Sequence, residues 1–241
     1  MRTAVIIPAF NEERSLPAVL REIPWHRVDE VIVVDNASRD RTSEVARAGG
    51  ATVVREENKG YGSACLRGIA ELKDRAPDAV VFLDADYSDS PGEMELLLDR
   101  LGAGYDLVIG SRELGRRQPG ALFWHARLGN WIATRLLCWL YGQAFTDLGP
   151  FRAVRYDRLL ALGMRDPDYG WTVEMQALAA RMGCRCCEVP VSYKRRIGRS
   201  KVSGTVKGSV LAGIKILYTL AAVGFRSLPA ALPAAVEEAP P

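Results

Sequence analysis

The sequence predicts an α/β fold, a mostly parallel central sheet with helices on both faces. Three observations predict it. Short β-branched runs recur through the first 110 residues, helical patterns separate them, and the runs are continuously apolar rather than alternating. Strands that are apolar on both sides belong to a sheet buried on both faces, and strand–helix–strand alternation makes neighbouring strands parallel.

Taken in order, the strands are expected at TAVIIP (3–8), EVIVVD (30–35), ATVVR (51–55), AVVFLD (79–84) and DLVIG (106–110). The helices between them are ERSLPAVLREI, RTSEVARAG, GSACLRGIAELKD and PGEMELLLDRL. Right-handed crossovers place every strand's carboxyl end on one edge, where ligands bind in open α/β sheets. After residue 110 the pattern changes. Residues 120–142 form a long helix with Trp124, Trp131 and Trp139 on one face, read as core packing ahead of a lipid contact. A polar turn TDLGPFRAV follows, then a helix around WTVEMQALAARMG and a strand pair within CRCCEVPVSYKRR.

Residues 208–225, GSVLAGIKILYTLAAVGF, are apolar except for Lys215. A bilayer span needs about 20 apolar residues, so this run is expected to be an amphipathic helix, docked on the domain or lying in a membrane interface. The domain reading is therefore a catalytic unit over 1–205, an apolar helix over 206–226 and a disordered Pro/Ala tail over 227–241.

With 32 Lys and Arg against 29 Asp and Glu, the net charge of +3 gives no global reason to expect nucleic acid as a partner. Residues 194–207, KRRIGRSKVSGTVK, nevertheless gather basic residues without an acid, a local anion-seeking patch. The five cysteines lack disulfide-framework spacing, and Cys184, Cys186 and Cys187 have no nearby histidine to complete a zinc site. They read as buried thiols in a reducing, cytosolic setting. The segment MRTAVIIPAF is broken too early by proline to serve as a signal peptide.

Four segments fall at successive strand ends. PAFNEE (8–13) makes a rigid ledge, or simply an N-capped helix start with Asn11 as cap. In VDNASRDRT (34–42), Asp35 is placed to accept from a base imide or a ribose hydroxyl, or merely closes a strand-to-helix turn. In NKGYGSACLRG (58–68), Gly60 and Gly62 are read as allowing a ligand's close approach. The fourth, DADYSDSP (84–91), crowds Asp84, Asp86 and Asp89 together. Like charges this close need a cation or donors, and the cluster is expected to lack internal counter-ions. A hard divalent ion shared with a diphosphate turns that repulsion into attraction. No G-x-G-x-x-G follows the first strand, which disfavours a nicotinamide enzyme.

In this order the motifs PAFNEE, VVDNAS, NKGYGSA, DADYSDSP, GSR, DLGPFRAV and RIGRSK resemble the family 2 glycosyltransferases over residues 3–205. Within that family the chain looks most like the dolichyl- or polyprenyl-phosphate mannose and glucose synthases. The resemblance implies the GT-A nucleotide-sugar fold, Mg2+ or Mn2+ as cofactor, and inverting hexose transfer from a UDP- or GDP-sugar to a polyprenyl phosphate at the cytosolic membrane face. It implies that Pro8, Phe10, Glu12 and Asp35 line the nucleotide pocket, and that Asp84, Ala85, Asp86 and Ser88 hold the ribose and the metal-bound diphosphate. It places Arg112, Arg195 and Lys201 on phosphate groups. Ser88 stands where many members carry glutamine, and Asp35-Asn36 where many carry Asp-Asp.

An ionised phosphate acceptor, with a second pKa of about 6, needs cationic groups such as Arg195, Arg196, Arg199 and Lys201 but no strong base. A hydroxyl acceptor requires one. Asp147 is then the first candidate, otherwise a turn cap, and Glu174 the second, otherwise an exposed helix acid. A non-catalytic nucleotide-sugar-binding subunit is the reading from another class.

Overall fold

The computed structural model describes residues 1–198 and 206–227; the sequence-based expectations for Arg199, Lys201 and the tail beyond 227 lie outside them. Seven strands form one sheet: β1 (Thr3–Ala9), β2 (Glu30–Asp35), β3 (Thr52–Arg55), β4 (Ala79–Phe82), β5 (Leu107–Ser111), β6 (Arg152–Arg155) and β7 (Cys186–Pro190). Their spatial order is β3-β2-β1-β4-β6-β5-β7. Helices α1 (Leu16–Glu22), α2 (Thr42–Ala48), α3 (Tyr61–Glu71), α4 (Met94–Gly102), α5 (Trp124–Tyr141), α6 (Tyr156–Leu162), α7 (Trp171–Arg181) and α8 (Val206–Phe225) surround it.

The apolar runs face two cores, as a doubly covered sheet requires. On one side Val5, Ile7, Val31, Val33 and Val81 pack against Leu16, Val19 and Leu20 of α1 and Leu97 and Leu98 of α4. On the other, Ile6, Ile32, Val34 and Phe82 meet Cys65 of α3, Leu137 of α5, Trp171 of α7 and Leu220 of α8. Phe82 and Trp171 meet edge to face at 5.8 Å.

Three expectations are corrected. The stretch read as a polar turn, TDLGPFRAV, runs into β6, which is antiparallel between β4 and β5, so the carboxyl ends of the five expected strands do share one edge. The loop entering β6 is thereby delivered to the edge where the other strands finish. The expected strand pair is one strand, β7, parallel to β5; beyond it Tyr193 makes only isolated bridges to Asp89 and Arg117. The tryptophans do share a face of α5, but it is the outer one: Trp124, Trp131 and Trp139 are 75%, 57% and 80% exposed. Periodicity shows that residues share a stripe, not which way the stripe faces. Among the described residues no helix is long and apolar enough to cross a membrane.

Candidate active site

At the carboxyl edge, the ends of β1, β2 and β4 and the start of α3 enclose a cavity of about 470 Å³. Pro8, Phe10, Glu12, Asp84, Ala85 and Asp86, all singled out in the sequence, line it together. The backbone turns sharply to place them. Asn11, Ala37 and Tyr87, each just past a strand, take left-handed φ values of 53°, 60° and 63°. That region costs an L-residue roughly 1–2 kcal/mol and is tolerated where the surroundings demand it.

Other singled-out residues sit elsewhere. Asp35 is buried below the cavity, accepting from Ser38 N at 2.9 Å, from the Ser43 hydroxyl, and from Arg55 at 3.3 Å. Its neighbour Asn36 lines the wall instead. Ser88 is also beneath the wall, donating through its amide (2.9 Å) and hydroxyl (2.5 Å) to Asp86 Oδ1. Arg195 is exposed and turned to the 118–120 turn, with Nε on Pro119 O at 2.7 Å. Arg196 points inward, its Nη1 2.9 Å from Asp86 Oδ2. Gly60 and Gly62 admit the chain itself, since a Cβ on Gly62 would stand 1.9 Å from the Asp166 carbonyl oxygen, while Gly60 also lines the cavity.

The acids are therefore not all without counter-ions. Asp86 has Arg196 and Ser88, whereas Asp84 Oδ1 and both Asp89 carboxylate oxygens are buried with no hydrogen-bond partner among the described residues. Burial, then the neighbouring Asp86, pushes Asp84 up to about 7. Burial, then Asp84 and Asp86, pushes Asp89 well above the usual carboxylate range. Burial opposes the Arg196 charge, but Asp86 outweighs it and the pKa rises. Among the described residues no three His, Cys, Asp or Glu side chains are placed to cage a metal ion. An uncompensated Asp84 beside Asp86 does fit a hard cation that takes one or two carboxylates and completes its shell with substrate phosphates.

Arg112 and Asp147, assigned separately from the sequence, are one unit. Asp147 Oδ2 accepts from Arg112 N (2.8 Å) and Nε (2.7 Å), and Oδ1 from Nη2 at 2.7 Å. Burial opposes the guanidinium charge, Asp147 overrides it, and Arg112 titrates well above its ordinary value. The loop carrying Asp147 is clamped from three elements. Glu188 of β7 accepts from Thr146 N (2.8 Å) and Asp147 N (3.1 Å). Asn130 of α5 accepts from Leu148 N at 2.8 Å and donates to Thr146 O at 2.9 Å. Gln176 of α7 donates to Asp147 O at 3.0 Å. Glu174 is buried rather than exposed, holding Asp166 N at 2.8 Å and Arg226 Nη1 at 3.0 Å. Neither acid proposed as a base is available in these positions.

Residues the sequence reading missed include Asn36, Lys59, Asp168 and Tyr169 on the cavity wall. Lys59 lies 5.3 Å over the Phe10 ring. Only the Gly60–Gly62 pair hinted at them, since it marks where the segment carrying Asp168 and Tyr169 packs.

Residues 4–161, well over half of the chain, match the family model described as glycosyl transferase family 2. The chain belongs to glycosyltransferase family 2. Among its relatives, an uncharacterized glycosyltransferase of Mycobacterium tuberculosis is 41% identical, over 86% of this chain and 93% of the relative. An undecaprenyl-phosphate mannosyltransferase of Micrococcus luteus is 34% identical over 89% and 93%. Among solved structures, glucosyl-3-phosphoglycerate synthase of M. tuberculosis with Mg2+ and UDP superposes with a TM-score of 0.72 at 25% identity, covering 92% of this chain and 79% of that one. This family 2 glycosyltransferase thus has the GT-A architecture, and its edge cavity stands where the sheet topology puts a ligand.

Proposed function

We propose that this enzyme transfers a hexose, with inversion, from a UDP- or GDP-sugar to a polyprenyl phosphate, working against a membrane surface. The observation that carries the acceptor class is the state of Asp147 and Glu174. Both are consumed by ion pairs, so the hydroxyl-acceptor chemistry that needs a general base finds neither of them ready, whereas an ionised phosphate needs none.

The edge cavity serves as the donor pocket, with Asp84 and Asp86 the residues that would hold Mg2+ or Mn2+ together with the diphosphate. Such a cation, when bound, supplies Lewis-acid stabilisation of the leaving diphosphate. Arg196, at the same wall, adds a second positive group where negative charge grows as the glycosidic C–O bond to the β-phosphate breaks. A phosphate oxygen of the acceptor forms the new bond to the anomeric carbon from the opposite face, and the nucleoside diphosphate leaves with the electron pair. Asp147 holds one edge of the Arg112 fork, while Nη1 carries no hydrogen bond among the described residues and is left for an acceptor phosphate. Arg112 also lines a slot of about 300 Å³ between α5 and α8, with Gly129, Ile132, Gly213, Ile216 and Leu217. An apolar slot ending at a guanidinium suits a prenyl phosphate.

The exposed Trp124, Trp131 and Trp139 of α5, with Ile214 and Tyr218 of α8, extend that apolar surface outward. Interfacial tryptophans flanked by Arg127 and Arg135 support peripheral contact with a bilayer. The M. luteus relative, named for an undecaprenyl-phosphate acceptor, supports the same reading. The test is incubation with Mn2+ or Mg2+, labelled UDP- and GDP-hexoses and polyprenyl phosphate. Label entering the organic phase is expected, and its absence with every donor refutes the acceptor assignment.

A further inference from the structure

Among the described residues, none from 211–225 of α8 lines the donor pocket, yet α8 is tied to it through one loop. Asp166 Oδ2 meets Lys215 Nζ at 2.9 Å and accepts from the Thr219 hydroxyl at 3.2 Å. Glu174 receives Arg226 at 3.0 Å and in turn accepts from the amides of Arg165 (3.1 Å) and Asp166 (2.8 Å). Contacts from the middle and end of α8 thus converge on residues 165–166 through two buried acids. The fit leaves no slack: a Cβ on Gly170 would lie 2.3 Å from both Asp166 Oδ2 and Thr219 Oγ1.

The other side of the same loop builds the pocket. Asp166 Oδ1 accepts from Asp168 N at 2.8 Å, fixing the turn that presents Asp168 and Tyr169 to the cavity. Pro167 O accepts from the Ser63 amide at 2.8 Å and hydroxyl at 3.2 Å, pinning the first turn of α3. Gly60, Tyr61 and Ala64 of that turn are themselves cavity wall. The loop 165–170 therefore joins α8 to two walls of the pocket.

We infer that Asp166 and Glu174 are positioning residues through which docking of α8 sets the donor pocket, so that nucleotide affinity depends on helix residues, Lys215 and Thr219, that do not line the pocket. The inference rests on the donor reading of the cavity and adds a control element to it. Lys215, the one charge in an otherwise apolar run, is the pin of this coupling.

The test uses the full chain with Lys215→Met and Thr219→Val, singly and together, and Lys215→Arg as the conservative variant. Titration calorimetry with UDP and with GDP, each plus Mn2+, reads the pocket, and hydrogen exchange reads the amides of residues 166–170. In the double variant the Kd of the nucleotide that wild type binds rises about tenfold, the effect of losing one charge-assisted hydrogen bond. The loop amides exchange faster relative to those of the sheet, and Lys215→Arg retains wild-type affinity. Unchanged nucleotide affinity overturns the inference, as do unchanged loop amides, or amide exchange that quickens equally throughout the sheet as it would for general structural damage. A wild-type protein that binds neither nucleotide removes the donor reading itself, a failure visible without any variant.

Discussion

Replacing Asp84 with Asn should stabilise the ligand-free protein while abolishing its response to metal and nucleotide. Asp84 is half-buried, its Oδ1 is enclosed with no hydrogen-bond partner among the described residues, and its pKa stands at about 7 against an ordinary 3.8. Below 3.8 both folded and unfolded states hold the proton, so the carboxyl costs nothing extra. Between 3.8 and about 7 the unfolded chain releases its proton first, and stability falls as pH rises. Above about 7 the penalty is constant. At about 1.36 kcal/mol per pH unit it is on the order of 4 kcal/mol. An Asn amide at the same place leaves a buried group imperfectly paired, at about 1–3 kcal/mol, for a net gain of about 1–3 kcal/mol. For a chain of this length each kcal/mol moves Tm by about 2–4 °C. Thermal unfolding of wild type and Asp84→Asn at pH 5.5 and 8.5, with and without Mn2+ and UDP or GDP, reads all of this. The variant should melt several degrees higher at pH 8.5 without ligand, gain less at pH 5.5, and lose the ligand-induced rise seen in wild type. A variant less stable than wild type at pH 8.5, or a gain independent of pH, refutes the reasoning that Asp84 is an uncompensated charge.

Asp147→Asn leaves the Arg112 fork with one weak acceptor in place of a bidentate partner, and kcat should fall by about a hundredfold or more in the label-transfer assay. Nucleotide Kd, measured by calorimetry, should move less than about threefold, because neither residue lines the donor cavity. Changing Trp124, Trp131 and Trp139 together to Ala should leave Tm within about 2 °C, since exposed side chains contribute little, yet strip the protein from anionic vesicles in a flotation assay. Retained flotation would separate α5 from membrane contact. Gly62→Ala drives a methyl into the Asp166 carbonyl, and it should lower denaturant stability by at least about 2 kcal/mol.

The order of strands and helices through residue 110 was legible in the sequence because covered parallel strands need continuous apolar runs, and EVIVVD and AVVFLD supply them. The strand-end placement of Pro8, Phe10, Glu12, Asp84 and Asp86 followed from the same topology. The sense of β6 did not, since RAVR reads alike in either direction and its pairing depends on strands that start 73 and 45 residues earlier in the chain. That reversal decides where Asp147 meets Arg112.

The sequence by itself determined which edge of the sheet holds the chemistry and which acids crowd there, because strand periodicity and connection handedness are local rules. Only the tertiary structure decided how those charges are satisfied. Arg196 rather than Arg195 faces Asp86, Asp147 and Glu174 are spent on arginines, Asp84 Oδ1 finds no hydrogen-bond partner among the described residues, and the tryptophans face outward. Each of these depends on which distant segment arrives at a given side chain, and no pattern within one element records that.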